Sequence, residues 1–157
     1  MRVGFGYDSH RFDPDRPLVL GGVRIADAPG LAGHSDADAI AHAVTDAVLG
    51  AAALGDIGRH FPPGDPAWKD ADSIDLLRRA VALLHDRGYA VGNVDVTVVT
   101  ERVRIAPHAD AMRTVLATTL GVAVDAVSVK GKTNEGMGWT GEGVGLAAYA
   151  VALVRPT

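Results

Sequence analysis

Three segments of this sequence repeat their apolar residues at helical spacing, and they alternate with segments of β pattern. Each helical segment stops at a glycine suited to a left-handed C-cap, at Gly55, Gly88 and Gly121. Capping residues precede the first two segments, and Pro107 opens the third. The predicted helices cover residues 36–54, 73–87 and 107–120, with Ser35 or Asp36 capping the first and Asp72 or Ser73 the second.

The remaining patterned segments predict strands. They cover residues 2–7, 91–101, 127–133 and 144–154, with a hairpin over residues 18–25 that turns at Gly21 and Gly22. This order predicts one α+β domain over residues 1–157, a ferredoxin-like variant with helices packed on one face of a mixed β-sheet. The last strand is rich in small residues, so we expect close packing there, either on another subunit or within the chain; these residues are Gly145, Ala147, Ala148 and Ala150.

The composition excludes several classes of protein. With 15 basic and 19 acidic residues the net charge is −4, whereas a nucleic-acid binder needs a basic face to displace counterions from phosphates. No cysteine is present, which excludes disulfide scaffolds and thiolate metal sites. The longest uncharged apolar stretch, residues 143–154, has 12 residues, and a membrane helix needs about 20. We therefore expect a cytoplasmic protein with no nucleic-acid or membrane partner.

Two glycine-rich motifs are similar to nucleotide-binding signatures, but both lack the required context. Gly131-Lys132-Thr133 has Ala126 where a P-loop needs glycine, and it ends a strand pattern instead of opening a helix. The segment GMGWTG, residues 136–141, matches GxGxxG but leads into a strand pattern. We therefore expect no P-loop and no dinucleotide fold.

One constellation of residues predicts a metal site. Asp8 and His10 stand at the end of the first strand and two residues apart, so their side chains point to the same face. His42 in the first helix is the candidate third ligand, and two histidines with one carboxylate suit a divalent ion such as zinc. Asp38 and Asp46 lie one turn on either side of His42 and are candidates to orient its ring. The alternative is a surface His10 and a core His42.

Further polar residues predict phosphate contacts. His34 and Ser35 precede the first predicted helix, whose N-terminus attracts anions, although Ser35 also suits plain capping. Lys132, Thr133 and Glu135 follow a strand, where a cation, a hydroxyl and a carboxylate suit a diphosphate with Mg²⁺; the alternative is a polar turn. The loop over residues 55–66 is rich in Gly and Pro, and it is either a ligand-ordered loop or a connector.

Together these residues resemble the family of 2-C-methyl-D-erythritol 2,4-cyclodiphosphate synthases. The similarity extends over nearly the whole chain. It is carried by GYDSHRF (6–12), LGGVRI (20–25), GLAGHSDAD (30–38), HAVTDAVLGAAALGDIGRHFP (42–62), KDADS (69–73), GNVDVT (92–97), APH (106–108), NEGMGWTG (134–141) and the alanine-rich last strand.

The resemblance implies an enzyme of the non-mevalonate isoprenoid pathway. Its substrate is 4-diphosphocytidyl-2-C-methyl-D-erythritol 2-phosphate; the 2-phosphate attacks the β-phosphorus, a cyclic diphosphate forms and CMP leaves. It also implies a homotrimer with active sites between subunits. Zinc, or a similar divalent transition metal, would be held by Asp8, His10 and His42, and Mg²⁺ or Mn²⁺ by Glu135.

The resemblance further assigns residues to the substrate. His34 and Thr133 would position the phosphates and stabilise the transition state. Substrate contacts are implied for Asp8, Ser9, His10, His34, Ser35, Asp56, Ile57, Gly58, Phe61, Asp65, Thr100, Arg104, Ile105, Ala106, Lys132, Thr133, Asn134, Glu135 and Trp139. The chain departs from the family pattern at Pro63 and Gly64 and at Glu142 and Val144, so we assign no site role to Glu142.

Two other functions fit the same residues. One is a different metal-dependent phosphohydrolase that uses Asp8, His10 and His42. The other is a non-catalytic trimeric module that binds cytidine nucleotides through residues 132–135. The nature of the product separates the first from a cyclase, and tolerance of His42→Ala would indicate the second.

Overall fold

The structure, a computed structural model, describes residues 1–157. The strands are β1 (Arg2–Asp13), β2 (Leu18–Leu20), β3 (Val23–Ile25), β4 (Gly30–Leu31), β5 (Tyr89–Val99), β6 (Val127–Lys132) and β7 (Gly145–Pro156). The helices are α1 (Ala39–Ala51), α2 (Ile57–His60), α3 (Ser73–Asp86), α4 (Ala109–Leu120) and α5 (Gly138–Gly141). Short 3₁₀ turns cover Pro66–Trp68, Ala106–His108 and Val124–Ala126.

Five strands form one mixed sheet in the order β4-β1-β7-β5-β6. Only β5 and β6 are parallel, joined by a crossover through α4, while β7 pairs antiparallel with both β1 and β5. The long elements therefore follow the order βααβαββ. This differs from the βαββαβ order of a ferredoxin-like fold, so the α+β class and the mixed sheet are confirmed but the topology is not ferredoxin-like.

The helices cover one face of the sheet. Along β7, the small side chains of Ala148, Ala150 and Ala152 are fully buried, whereas Tyr149 and Val151 between them are exposed. Because successive strand residues point to opposite faces, the small residues line the helix-covered side. Close packing of this strand within the chain is therefore confirmed, and its other face stays uncovered in the single chain.

Helix α1 lies directly on β1 because glycine stands where a side chain would collide. A Cβ atom on Gly4 would lie 1.8 Å from the carbonyl oxygen of Ala47, and one on Gly6 would lie 1.8 Å from that of Ala43. Neither distance is sterically possible, so only glycine permits this approach. The contact brings the start of α1 close to the middle of β1.

Helix α1 starts later than the sequence predicted. Its N-cap is Asp38, whose carboxylate accepts the backbone N–H of Ala41 at 3.0 Å. The predicted caps do not serve this helix, since Ser35 accepts from Ala37 and Asp36 bonds to Ser73, 37 residues away. Pro107 likewise lies in the 3₁₀ turn before α4, whereas the cap of α3 at Asp72 is confirmed.

Candidate active site

Asp8, His10 and His42 come together in the structure. Asp8 Oδ2 lies 2.8 Å from His10 Nε2 and 3.0 Å from His42 Nδ1, and one ligand atom from each residue falls within 4.8 Å of the others. Strand β1 continues to Asp13, so Asp8 and His10 lie inside the strand, not at its end. The predicted convergence of the three side chains is confirmed.

The hydrogen bonds of His10 indicate that a cation fits this cluster. Its Nδ1 lies 2.6 Å from the carbonyl oxygen of Ala32. Since a carbonyl only accepts, Nδ1 carries the proton and the neutral ring leaves a lone pair on Nε2. That Nε2 atom is buried without a hydrogen-bond partner and faces the Asp8 carboxylate. Two electron-rich atoms at this distance need a positive charge between them.

The ionisation of Asp8 agrees with a cation at this cluster. Burial would raise the pKa of Asp8, but the neighbouring His10 and His42 rings outweigh it and hold that pKa below its usual value. Burial would lower the pKa of His42, but the neighbouring Asp8 outweighs it and raises that pKa. Asp8 is therefore ionised at neutral pH, which is the form that binds a cation.

Two serines contact the other side of the His42 ring. His42 Nε2 lies 2.8 Å from Ser73 Oγ and 3.2 Å from Ser35 Oγ. The expectation that Asp38 and Asp46 orient this ring is wrong. Both carboxylates accept from backbone instead, because the hairpin turn brings the N–H of Gly21 to Asp38, and Asp46 accepts the N–H of Ile57 at the start of α2.

A cleft opens beside the three candidate ligands. Among the residues predicted for the substrate, those that line it are Asp8, His10, His34, Ser35, Ile57, Gly58 and Phe61, together with His42. Pro63, Trp68 and Leu76 line it as well and were not predicted. The anion site expected at a helix start behind Ser35 is wrong, because α1 begins four residues later and Asp38 fills its N-terminus.

The loop between α1 and α3 is partly ordered into helical turns. Asp56 caps α2 by accepting from Arg59, and Asp65 caps the following 3₁₀ turn by accepting from Ala67. The Phe61 ring meets Trp68 edge-on at 5.1 Å. The carboxylates of Asp56 and Asp65 therefore hold the loop in shape at the mouth of the cleft.

A second cleft collects another group of predicted residues. It is lined by Thr100, Arg104, Ile105, Ala106, Lys132 and Thr133, together with Glu101 and Val103. The hydroxyl of Thr100 is buried there without a hydrogen-bond partner. Within one chain this cleft and the cleft beside Asp8 share no residue.

The turn after β6 holds the other predicted residues. Glu101 accepts the backbone N–H of Asn134 at 2.8 Å and that of Gly136 at 3.4 Å, while Glu135 adopts a left-handed backbone with φ of 53°. The Thr133 hydroxyl donates to the Glu135 carboxylate at 3.2 Å. Trp139 lies elsewhere, in a shallow depression that it shares with Ser9 and His10.

Sequence reasoning missed Ser73 and Glu101 as residues of the site. Ser73 was predicted only as a cap of α3, yet it contacts His42. Ser73 and His42 are 31 positions apart in the sequence, so no local sequence pattern predicts their contact. The sequence contains one weak indication of a role for Glu101, because it is one of only three glutamates in the chain.

An α+β domain with a half-buried Asp–His–His cluster beside a cleft defines a class of protein with a candidate site for a divalent metal. The model of the YgbB family matches residues 1–155. The chain belongs to the YgbB family.

Curated relatives match along almost their full length. The 2-C-methyl-D-erythritol 2,4-cyclodiphosphate synthase of Symbiobacterium thermophilum is 59% identical over 154 residues, which is 98% of each chain. The synthase of the same name from Thermosynechococcus vestitus is 55% identical and covers 99% of this chain and 96% of its own.

Solved structures share the fold. A 2C-methyl-D-erythritol-2,4-cyclodiphosphate synthase in a CDP-bound form is 37% identical, with a TM-score of 0.90 over 98% of this chain and all of its own. The bifunctional IspDF of Campylobacter jejuni has a TM-score of 0.96 at 36% identity, and this chain spans 42% of its length. None of the helices is both long and apolar enough to cross a bilayer.

Proposed function

We propose that this chain is a 2-C-methyl-D-erythritol 2,4-cyclodiphosphate synthase, a lyase of the non-mevalonate isoprenoid pathway. It converts 4-diphosphocytidyl-2-C-methyl-D-erythritol 2-phosphate into the cyclic diphosphate and releases CMP. The observation that carries the proposal is the meeting of Asp8, His10 and His42 beside a cleft, in a chain that matches synthases of this name from end to end.

The reaction needs no side-chain nucleophile. A phosphate oxygen of the substrate attacks, and it is largely ionised near neutral pH because its second pKa is about 6. Such a transfer depends on positioning and on neutralising charge. This agrees with a cleft that contains three histidines and one serine but no cysteine.

The metal would be held by Asp8, His10 and His42. Zinc, or a similar divalent ion, supplies Lewis-acid stabilisation of phosphate oxygens when bound. His34 at the same cleft would donate to phosphate, and Ser35 would fix the adjoining backbone. The Glu135 carboxylate, which is exposed on its turn, would hold Mg²⁺ or Mn²⁺ on the diphosphate, with Lys132 and Thr133 beside it.

The cytidine side is assigned to the second cleft. A CDP-bound form is among the solved synthases of the same fold. In this proposal the two clefts bind opposite ends of one substrate. The buried Thr100 hydroxyl, which has no partner in the protein, suits a contact with the nucleotide. Along residues 100–106 and 132–135 most contacts with the cytidine side would come from backbone groups, so side-chain differences there matter less.

We further propose a homotrimer whose active sites lie between subunits. The two clefts share no residue within a chain, which agrees with a substrate that would join the metal cleft of one copy to the nucleotide cleft of the next. The uncovered sheet face exposes Val3, Phe5, Tyr7, Tyr149 and Val151. An apolar patch of this kind marks an interface, and a second copy would cover it.

The remaining expectations stay predictions. Residues 1–157 act as one catalytic domain in the cytoplasm, without a nucleic-acid or membrane partner. The net charge of −4 supports the absence of a nucleic-acid partner.

The test is incubation with the diphosphocytidyl substrate, followed by phosphorus NMR, with and without a chelator. We expect a cyclic diphosphate and CMP with metal present and neither with chelator. His42→Ala should lose at least about 100-fold in rate, since the metal loses a ligand. The matched control is His85→Ala, which alters an exposed histidine near the end of α3 and should keep the full rate.

Other products would contradict the proposal. Release of inorganic phosphate or an open monophosphate would indicate a phosphohydrolase. Tight CDP binding with no turnover, unchanged in His42→Ala, would indicate a binding module.

A further inference from the structure

A chain of hydrogen bonds leads away from His42 on the side opposite Asp8. His42 Nε2 lies 2.8 Å from Ser73 Oγ, and the Ser73 hydroxyl donates to Asp36 Oδ1. Asp36 Oδ2 also accepts the backbone N–H of Ser73 at 3.1 Å. Ser73 is fully buried at the first position of α3.

The donors and acceptors in this chain determine where the protons lie. An ionised carboxylate only accepts, so the single hydroxyl proton of Ser73 points to Asp36. The Ser73 oxygen can then only accept from His42, which requires the proton on Nε2. On the other side of the ring, Nδ1 lies 3.0 Å from Asp8 Oδ2, so a cation bound between these two atoms would replace a proton on Nδ1 and leave a neutral ring with its Nδ1 lone pair on the metal.

We propose that Asp36, acting through Ser73, is the positioning residue that holds His42 in the Nε2–H tautomer and so aims Nδ1 at the metal. The inference rests on the metal-dependent function proposed above and deepens it. Neither residue would touch the metal. Together they do for His42 what the Ala32 carbonyl does for His10, because histidine ligands are oriented by the partner of their second nitrogen.

Ser35 is the competing partner, and the geometry favours Ser73. Ser35 Oγ lies 3.2 Å from His42 Nε2, farther than Ser73 Oγ, and it already accepts the backbone N–H of Ala37. No carboxylate is bonded to Ser35, so its hydroxyl proton is free to turn. Only the Ser73 hydroxyl is oriented by a charged acceptor.

Asp36 is also well placed to keep the Ser73–His42 pair rigid. Besides its two bonds to Ser73, it accepts the backbone N–H of Asp38 at 3.1 Å, and its own N–H donates to the carbonyl of Ala71 at 3.2 Å. It therefore ties the residues just before α1 to the first residue of α3. The ring of His42 is held between those two helices.

The first test observes the tautomer directly. Long-range nitrogen–proton NMR on the zinc-loaded full chain distinguishes a ring bound through Nδ1, with its proton on Nε2, from a ring bound through Nε2, with its proton on Nδ1. We expect His42 to carry the proton on Nε2 in the wild type, and that proton to exchange faster with solvent in Ser73→Ala, where its acceptor is lost. An Nδ1–H wild type, or an unchanged spectrum in Ser73→Ala, would overturn the inference.

The second test measures zinc affinity by competition with a chromophoric chelator. Loss of such a partner lowers metal affinity about 10–100-fold, and we expect that for both Ser73→Ala and Asp36→Asn. Asp86→Asn, at an exposed carboxylate at the end of α3, should bind like the wild type. Wild-type affinity in both Ser73→Ala and Asp36→Asn would refute the inference.

The two tests separate this inference from the proposed function. If the wild type binds no zinc, the proposed metal chemistry itself fails. If the wild type binds zinc and forms the cyclic product while Ser73→Ala does so with equal affinity, only the positioning role fails. Circular dichroism confirms that each variant is folded, and Asp36→Asn replaces Ser73→Ala in the NMR test if the latter does not fold.

Discussion

Asp38 is the most deeply buried carboxylate of the protein, and it holds two elements together. It is fully buried and accepts the backbone N–H groups of Gly21 at 2.8 Å, Gly22 at 2.7 Å and Ala41 at 3.0 Å. Burial raises the pKa of Asp38 to about 6, although these three donors act in the opposite direction. One residue therefore caps α1, fixes the hairpin turn and makes stability depend on pH.

The sign of that pH dependence follows from the raised pKa of Asp38. The pKa of Asp38 is higher in the folded than in the unfolded chain, so its contribution to the free energy of unfolding falls as pH rises from about 4 to about 6. The loss amounts to about 3 kcal/mol. Urea unfolding across this range should show the stability of the wild type falling relative to Asp38→Asn by about that amount.

The control for this experiment is Asp86→Asn, where the carboxylate is exposed. Its stability should stay parallel to that of the wild type at every pH. Parallel curves for Asp38→Asn as well would contradict the assignment of a raised pKa to Asp38.

At the scale of elements, the contact between α1 and β1 determines the geometry of the metal cluster. Asp8 and His10 come from the strand, and His42 comes from the helix. Glycine at positions 4 and 6 lets the two backbones meet. The distance from Asp8 to His42 therefore depends on residues that carry no side chain.

Two glycine-to-alanine changes should have opposite effects. Gly6→Ala places a Cβ atom 1.8 Å from the Ala43 carbonyl oxygen, so we expect a loss of at least about 3 kcal/mol in the free energy of unfolding. Gly50→Ala, in α1 itself, meets nothing closer than 4.0 Å and should stabilise by about 0.5–1 kcal/mol. Urea denaturation measures both, and a stable Gly6→Ala would contradict the close packing.

Local signals explain which elements the sequence predicted well. Helix α3 is capped by Asp72 and followed by Gly88 at a φ of 76°, both of which are visible within a few residues. The start of α1 was wrong because Asp36 bonds to Ser73, far along the chain. The short helix α2 was missed because its four residues show no periodicity.

At the scale of the whole molecule, the uncovered sheet face is the largest feature that a single chain leaves unexplained. The rings of Tyr7 and Tyr149 pack there in a tilted arrangement with centroids 5.1 Å apart, and the Phe5 ring lies 6.4 Å from that of Tyr149. All three rings are exposed in the single chain. The proposed trimer gives these rings a partner.

Charging that face should dissociate the assembly. Val151→Lys puts an ammonium group at a position that is 44% exposed in the single chain and buried in the proposed trimer, where an unpaired charge is costly. Light scattering should report a trimer for the wild type and smaller species for Val151→Lys. Val124→Lys, at a valine 41% exposed outside the sheet, should stay trimeric.

Much of the candidate site followed from the sequence, and what it missed has a common cause. The spacing of Asp8 and His10 on a strand sufficed to predict that they converge, and the structure brings His42 to them. The partners of His42 were missed, because orientation by Ser73 depends on how α1 and α3 pack. The division of the predicted substrate residues between two clefts is likewise a property of the folded chain.

The central claim is that Asp8, His10 and His42 hold one divalent cation, and calorimetric titration of zinc into the metal-free protein tests it most directly. The account predicts one zinc per chain in the wild type and loss of that binding in His10→Ala, with His108→Ala unchanged. Absence of zinc binding in the wild type, or equal affinity and stoichiometry in His10→Ala, would contradict it.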